Sequence, residues 1–203
     1  LICRTGEIIG FPDDDCSYAP DTLEKVVSYL KDKKKHIYSC RTLEKGKNYG
    51  TGIMLDYNTN ITVSNADLTV KSITFFVNIE GQDIYLFDKK LGVGALFGSG
   101  EETDYVLNLL HKGYVGEYFA NDIIYHPAKK GNYEDLGRAY NYARGYGALC
   151  KKEVVVRKNY MYFFKFLNKI FRSIAGVMFS KHKDYHGEVL KGRISGYFGY
   201  KND

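Results

Sequence analysis

Tryptophan is absent from this 203-residue sequence, and its four cysteines, Cys3, Cys16, Cys40 and Cys150, stand far apart. With no CxxC pair and no histidine at zinc-finger spacing, they form neither a disulfide framework nor a structural zinc site. They read as reduced, partly buried thiols of a cytosolic protein. No run approaches the roughly 20 consecutive apolar residues that a membrane-spanning helix needs. Internal repeats and low-complexity linkers are missing too. The start, Leu1-Ile2-Cys3-Arg4, has neither Met nor the pattern of a signal peptide, and reads as a cut into a longer protein.

What is present fits one domain with a proper core. Charged and apolar residues stand in ordinary globular proportion, which excludes wholesale disorder. The aromatic share is high and weighted toward its 19 tyrosines, whose apolar face and hydroxyl suit carbohydrate and nucleotide surfaces as well as half-buried positions. Net charge is +5, unevenly spread. The stretch through Asp21 is acidic and Lys151 to Lys191 is heavily basic, which points to an anionic surface near the C-terminus and not to a nucleic-acid stripe.

Apolar patterning predicts alternating strands and helices, the signature of an α/β layered domain. Glu7 to Phe11 reads as a short buried strand. Thr22 to Lys31 has Leu23, Val26, Val27 and Leu30 at helical spacing. His36 to Cys40 reads as a strand, Thr42 to Leu68 as loop and hairpin, and Val70 to Ile79 as a central strand. Glu101 to His111 is the clearest helix, with acids in its first turn, Val106, Leu109 and Leu110 as its apolar stripe, and Gly113 as its stop. Two strands, Val115 to Phe119 and Ile123 to His126, follow. Arg138 to Leu149 and Tyr160 to Phe179 read as helices, and the rest as a basic, glycine-containing tail. The expected division is a catalytic domain over residues 1–150 and a basic amphipathic helical tail over 151–203.

Three elements carry chemistry. Asp13, Asp14 and Asp15 follow the apolar run Ile8-Ile9-Gly10-Phe11, where adjacent carboxylates repel and lose hydration unless a cation compensates. A divalent metal holding a phosphorylated ligand does so, since hard oxygen ligands suit Mg²⁺ or Mn²⁺; an acidic turn ahead of the next helix is the plain alternative. Gly98-Ser99-Gly100-Glu101-Glu102-Thr103-Asp104 is a glycine-flexible loop presenting carboxylates, or else a dipole-complementing first turn. His126 precedes Pro127 at a strand end, as a ligand or as a structural histidine. Gathered at one sheet edge, the aspartates and imidazole would hold a cation and its diphosphate. A carboxylate of the second loop would act as general base on an incoming hydroxyl.

These segments resemble family-two glycosyltransferases. Glu7 to Cys16, followed by Tyr18, Pro20 and Leu23, looks like the DxD region of that family. Phe87-Asp88 with Leu91-Gly92-Val93-Gly94 is similar to its "FDE…LG.G" element. Residues 98–104 resemble its "G.GE(E/D).D" acceptor loop, and His126-Pro127 its late metal-side histidine. The resemblance covers roughly residues 6–150. It implies a GT-A-like mixed sheet flanked by helices, apparently lacking the N-terminal nucleotide-binding βαβ units. It further implies a metal-dependent inverting enzyme that uses Mn²⁺ or Mg²⁺. Asp13, Asp14 and Asp15 would bind the donor, with Asp13 near the ribose and Asp15 the main metal ligand; His126 would complete the metal or phosphate contacts. Glu102 falls at the base position, with Glu101 orienting the acceptor beside Gly98, Ser99 and Gly100, and Asp104 supporting the loop. Glu stands where many members carry Asp, so Glu101 and Glu102 both remain candidates for the proton.

The implied partners are a nucleotide-sugar donor and a glycan or lipid-linked acceptor in surface polysaccharide synthesis, with no nucleic acid. The helix over Tyr160 to Phe179 sets Phe163, Phe164, Phe166, Leu167, Ile170, Phe171, Ile174 and Val177 against Lys158, Lys165, Lys169 and Arg172. It reads as a helix lying on an anionic membrane or as one covering the sheet; the first places the protein in the cytoplasm, peripheral on the inner membrane face. Two other functions compete: a metal-dependent phosphohydrolase or nucleotidyltransferase, and an inactive glycosyltransferase acting as a carbohydrate-binding, membrane-associated module.

Overall fold

The structure, a computed structural model, describes residues 6–32, 34–50, 52–80, 85–128 and 133–202. Cys3 lies outside these residues; Cys16, Cys40 and Cys150 form no disulfide among the described residues. The chain divides into two compact units, one of residues 1–86 and 105–129, the other of residues 87–104 and 130–203.

The first unit is built on a mixed sheet of six strands. They are β1 (Ile8–Gly10), β2 (Ser17–Tyr18), β3 (Ile37–Leu43), β4 (Thr59–Asn60), β5 (Phe75–Asn78) and β6 (Gly116–Tyr125). Their order is β1-β5-β3-β6-β2, with β4 also on β6, and β3–β6 is the parallel pair. Helix α1 (Thr22–Leu30) turns Val26 and Leu30 onto Tyr38, Cys40 and Phe76 of the sheet. Burying two such aliphatic side chains stabilises the unit by roughly 1.5–3 kcal/mol each. A short helix α2 (Ala66–Thr69) precedes β5. Helix α3 (Glu101–His111) has its first turn in the second unit and its remainder in the first. The mixed α/β organisation, a mixed sheet flanked by helices, agrees with the expected GT-A-like architecture.

Three local expectations are corrected. Val115 to Phe119 and Ile123 to His126 are halves of one strand, β6: Gly116–Phe119 pairs with Ile37–Cys40 and Ile123–Tyr125 with Arg41–Leu43. The break between the halves is a bulge at residues 120–122, where Asp122 leaves the ladder and accepts from Tyr38 Oη (2.5 Å) and Lys25 Nζ (2.7 Å). Val70 to Ile79 is not all strand. The Thr74 hydroxyl exchanges hydrogen bonds with the Lys71 backbone (2.9 and 3.0 Å), curling Ser72–Thr74 into a 3₁₀ turn before β5. The region 42–68 holds the end of β3, β4 and the start of α2.

The second unit is helical. Helix α4 (Leu136–Val155) starts at Asp135, whose carboxylate accepts from the Arg138 amide, and is followed by α5 (Met161–Phe179). The expected tail is a 17-residue helix, α6 (Lys183–Gly199). Its contact with α4 runs through glycine: a Cβ on Gly196 would lie 1.9 Å from Arg144 O, one on Gly192 2.4 Å from Tyr140 O, and one on Gly147 2.2 Å from Arg193 O. Backbones that approach this closely leave no room for side chains, so α6 carries no strong apolar stripe and its low-propensity residues mark the contact itself.

Candidate active site

Strand register builds the first cluster. The acidic loop leaves β1, and a turn closes it, with the Cys16 amide and thiol both donating to Asp13 O (3.3 and 3.1 Å). The chain then enters β2, where Ser17 pairs with Tyr125. That register sets the loop beside the residue that follows β6, His126, whose amide is fixed to Leu43 O of β3 (3.0 Å). His126 is buried, 7% exposed. Its Nε2 lies 3.1 Å from Asp15 Oδ1 and 3.8 Å from Asp13 Oδ2.

The other ring nitrogen decides the chemistry of this corner. Nδ1 sits 2.8 Å from Pro127 O. A carbonyl oxygen only accepts, so Nδ1 carries a hydrogen and Nε2 is the ring atom that faces the two carboxylates. One ligand atom from each of Asp13, Asp15 and His126 falls within 4.8 Å of the others. Two carboxylates and a lone pair repel at this separation unless a cation or a proton lies among them. Carboxylate oxygens with one imidazole, the outer nitrogen of which is held by a backbone carbonyl, fit a divalent cation of the Mn²⁺ or Mg²⁺ kind. Asp14 stands exposed in the same loop, outside the group.

The second set belongs to the other unit. Glu101 and Glu102 are half-buried in the first turn of α3, with Asp104 two residues further on in the same turn, where the helix field favours negative charge. Glu101 lies against Gly92: a Cβ there would be 3.1 Å from Glu101 Cδ, and Gly92 holds φ +112°. Glu101 Oε2 is buried with no hydrogen-bond partner among the described residues. Of the glycines ahead of the helix, Gly98 makes a close approach and Gly100 takes a left-handed backbone conformation. A Cβ on Gly98 would meet Asn141 Cβ at 2.8 Å, Gly100 holds φ +95°, and Ser99 Oγ donates to Tyr142 O (3.0 Å).

Asp104 is engaged by two cations the motifs did not reveal. Its carboxylate receives Lys152 Nζ at 2.8 Å and Arg157 Nη1 at 2.9 Å, and it is 3% exposed. Lys152 also donates to Asp88 (2.6 Å), and Arg157 to the buried Glu153, which accepts from Asn159 as well (2.9 Å). Burial works against the charged Asp88, yet Lys152 and the Lys90 amide outweigh it and hold the carboxyl below its ordinary range. Burial likewise opposes the Arg157 cation, but Asp104 and Glu153 prevail and keep its pKa raised. The network thus fastens three segments of one unit: the Phe87-Asp88 element, the first turn of α3 and the end of α4. Sequence spacing gives no access to Lys152 and Arg157, which look like ordinary residues of a basic run.

Residues 3–79 match the family model of glycosyl transferase family 2. A search of the curated proteins finds no match. The matched segment contains the acidic loop and the strands β1, β3 and β5, so the similarity to that family covers this part of the sheet.

Proposed function

We propose that the protein transfers one sugar, with inversion, from a nucleotide-diphosphate sugar to a hydroxyl of a glycan or lipid-linked acceptor in surface polysaccharide synthesis. The observation that carries the reading is the convergence of Asp13, Asp15 and His126, two of them inside the family-two match. Asp15 and His126 would hold a divalent cation, with Asp13 as a third ligand beside the ribose, and Asp14 would face the donor from the same loop. Such a cation offsets charge on a diphosphate leaving group.

On the other side of the reaction, Glu102 accepts the proton of the acceptor hydroxyl as that oxygen forms its bond to the anomeric carbon. The bond from that carbon to the diphosphate oxygen breaks, and the nucleoside diphosphate leaves with its electron pair. Glu101 orients the acceptor through its partnerless Oε2, and Asp104 fixes the turn that carries both acids. Positioned proton transfer is worth roughly 10²- to 10⁴-fold in rate.

A screen of nucleoside-diphosphate sugars, scored by nucleoside diphosphate release with Mn²⁺ and with chelator, tests the reading. Turnover should require metal, Glu102→Gln should lower kcat by about 10²- to 10⁴-fold with donor binding little changed, and Glu101→Gln should raise the acceptor KM. Inactivity of Glu101→Gln beside near-normal turnover of Glu102→Gln would exchange the two roles. Metal-independent turnover would remove the assignment of the Asp13, Asp15 and His126 group.

A further inference from the structure

Helix α5 has two faces of opposite use. Its inner residues Tyr162, Phe166 and Ser173 are buried, with Phe166 stacked on Tyr197 of α6 at 4.2 Å and Lys169 O accepting from Arg193 Nη1 at 2.6 Å. The inward contacts of the helix are therefore made within its own unit. On the opposite side Phe164, Phe171 and Met178 recur at helical spacing, 68, 66 and 59% exposed, and Phe179 at the helix end is 82% exposed. A stripe of large apolar side chains in water is unfavourable unless something covers it.

Charge identifies what does. From Lys158 to Lys183 the chain carries six Lys and Arg and no Asp or Glu, with Arg172, Lys181 and Lys183 exposed. A second copy of this face would bring two such cationic sets together, whereas an anionic lipid surface accepts both the cations and the phenylalanines. No described helix is long and apolar enough to cross a bilayer, so the contact is an interfacial one. We infer that the outward face of α5 docks on an anionic lipid surface, with Phe164, Phe171 and Met178 entering the headgroup boundary and Arg172, Lys181 and Lys183 meeting lipid phosphates. The inference stands on residues 158–183 and is independent of the sugar-transfer reading.

Co-sedimentation with vesicles of phosphatidylcholine, alone and mixed with phosphatidylglycerol, tests it. The protein should bind the mixed vesicles at low salt and leave them as salt rises. Replacing Arg172, Lys181 and Lys183 with Gln should weaken binding about fivefold per residue. Phe164→Ser with Phe171→Ser, both at exposed positions, should weaken it at least about tenfold with an unchanged circular dichroism spectrum. The inference is overturned if the protein does not bind mixed vesicles at low salt, or if the serine pair binds as well as the original. It is also overturned if sedimentation shows a dimer that the serine pair dissolves while vesicle binding stays absent, since the face then belongs to a second copy.

Discussion

At His126, a single backbone hydrogen bond does more than position a side chain. Because Pro127 O can only accept, it selects the tautomer of the ring and leaves Nε2 facing Asp13 and Asp15. The same logic ranks the ligands. Asp15 lies closer to Nε2 than Asp13 does, 3.1 against 3.8 Å, so Asp15 and His126 would be the pair that holds a cation. Asp15→Asn is therefore expected to lower Mn²⁺ affinity by at least the roughly 10- to 100-fold that follows loss of a supporting partner, with Asp13→Asn weakening it less. Titration calorimetry with Mn²⁺ alone reads both variants without relying on activity. Equal affinity in Asp15→Asn and the unsubstituted protein would show that the acids form only a turn.

Strand and helix edges show which signals a sequence carries and which it does not. Helices α1 and α3 follow from apolar spacing and their bounding residues, and the acidic loop is visible because three adjacent carboxylates need an explanation. The long-range facts are hidden. That β2 pairs with the end of β6, which alone brings Asp15 to His126, is a matter of register between short segments more than 100 residues apart. Asn121 and Asp122 look like a loop between two strands because a bulge admits polar residues without ending the ladder. Helix α6 escapes notice because it is held by glycine contacts instead of an apolar stripe. Lys152 and Arg157 are invisible for a third reason: their partners Asp88 and Asp104 stand at least 48 residues away in the sequence. Lys152→Met leaves Asp88 and Asp104 with fewer charges to face in a nearly dry site, and removal of one member of a buried pair costs about 3–5 kcal/mol. Urea unfolding should report that loss, and a change under about 1 kcal/mol would mean that water enters the network freely. The pH profile has a matching sign. The carboxyl of Asp88 is depressed in the folded protein, so its contribution is present above the unfolded Asp value of about 3.9 and is lost as pH falls through the lower folded value; Lys152→Met should flatten that acid limb.

Across the whole chain, charge divides between the two units. The unit of residues 1–86 and 105–129 holds 12 Lys and Arg against 14 Asp and Glu, while the unit of residues 87–104 and 130–203 holds 17 against 10, so the basic excess lies entirely in the helical unit. Each unit also has its own apolar cluster, one around Tyr38, Phe76 and Ile124 and another around Leu91, Phe97 and Ala148. Separate cores permit separate openings, because local stability tracks local burial. A metal bound by Asp13, Asp15 and His126 stabilises only conformations in which the loop, β2 and the end of β6 are in register. Hydrogen exchange should therefore slow in residues 13–18 and 123–126 when Mn²⁺ is added, by up to about a hundredfold at a hundred times its dissociation constant, with α4, α5 and α6 unchanged. Lys152→Met should do the reverse, speeding exchange in α4 and the first turn of α3 while β1, β3 and β5 keep their protection. If either perturbation moves all the amides together, the two units open as one cooperative body and the division of stability falls. If Mn²⁺ protects α4 to α6 and leaves residues 13–18 unaffected, the metal binds elsewhere, and the carboxylates around Glu101 become the place to look.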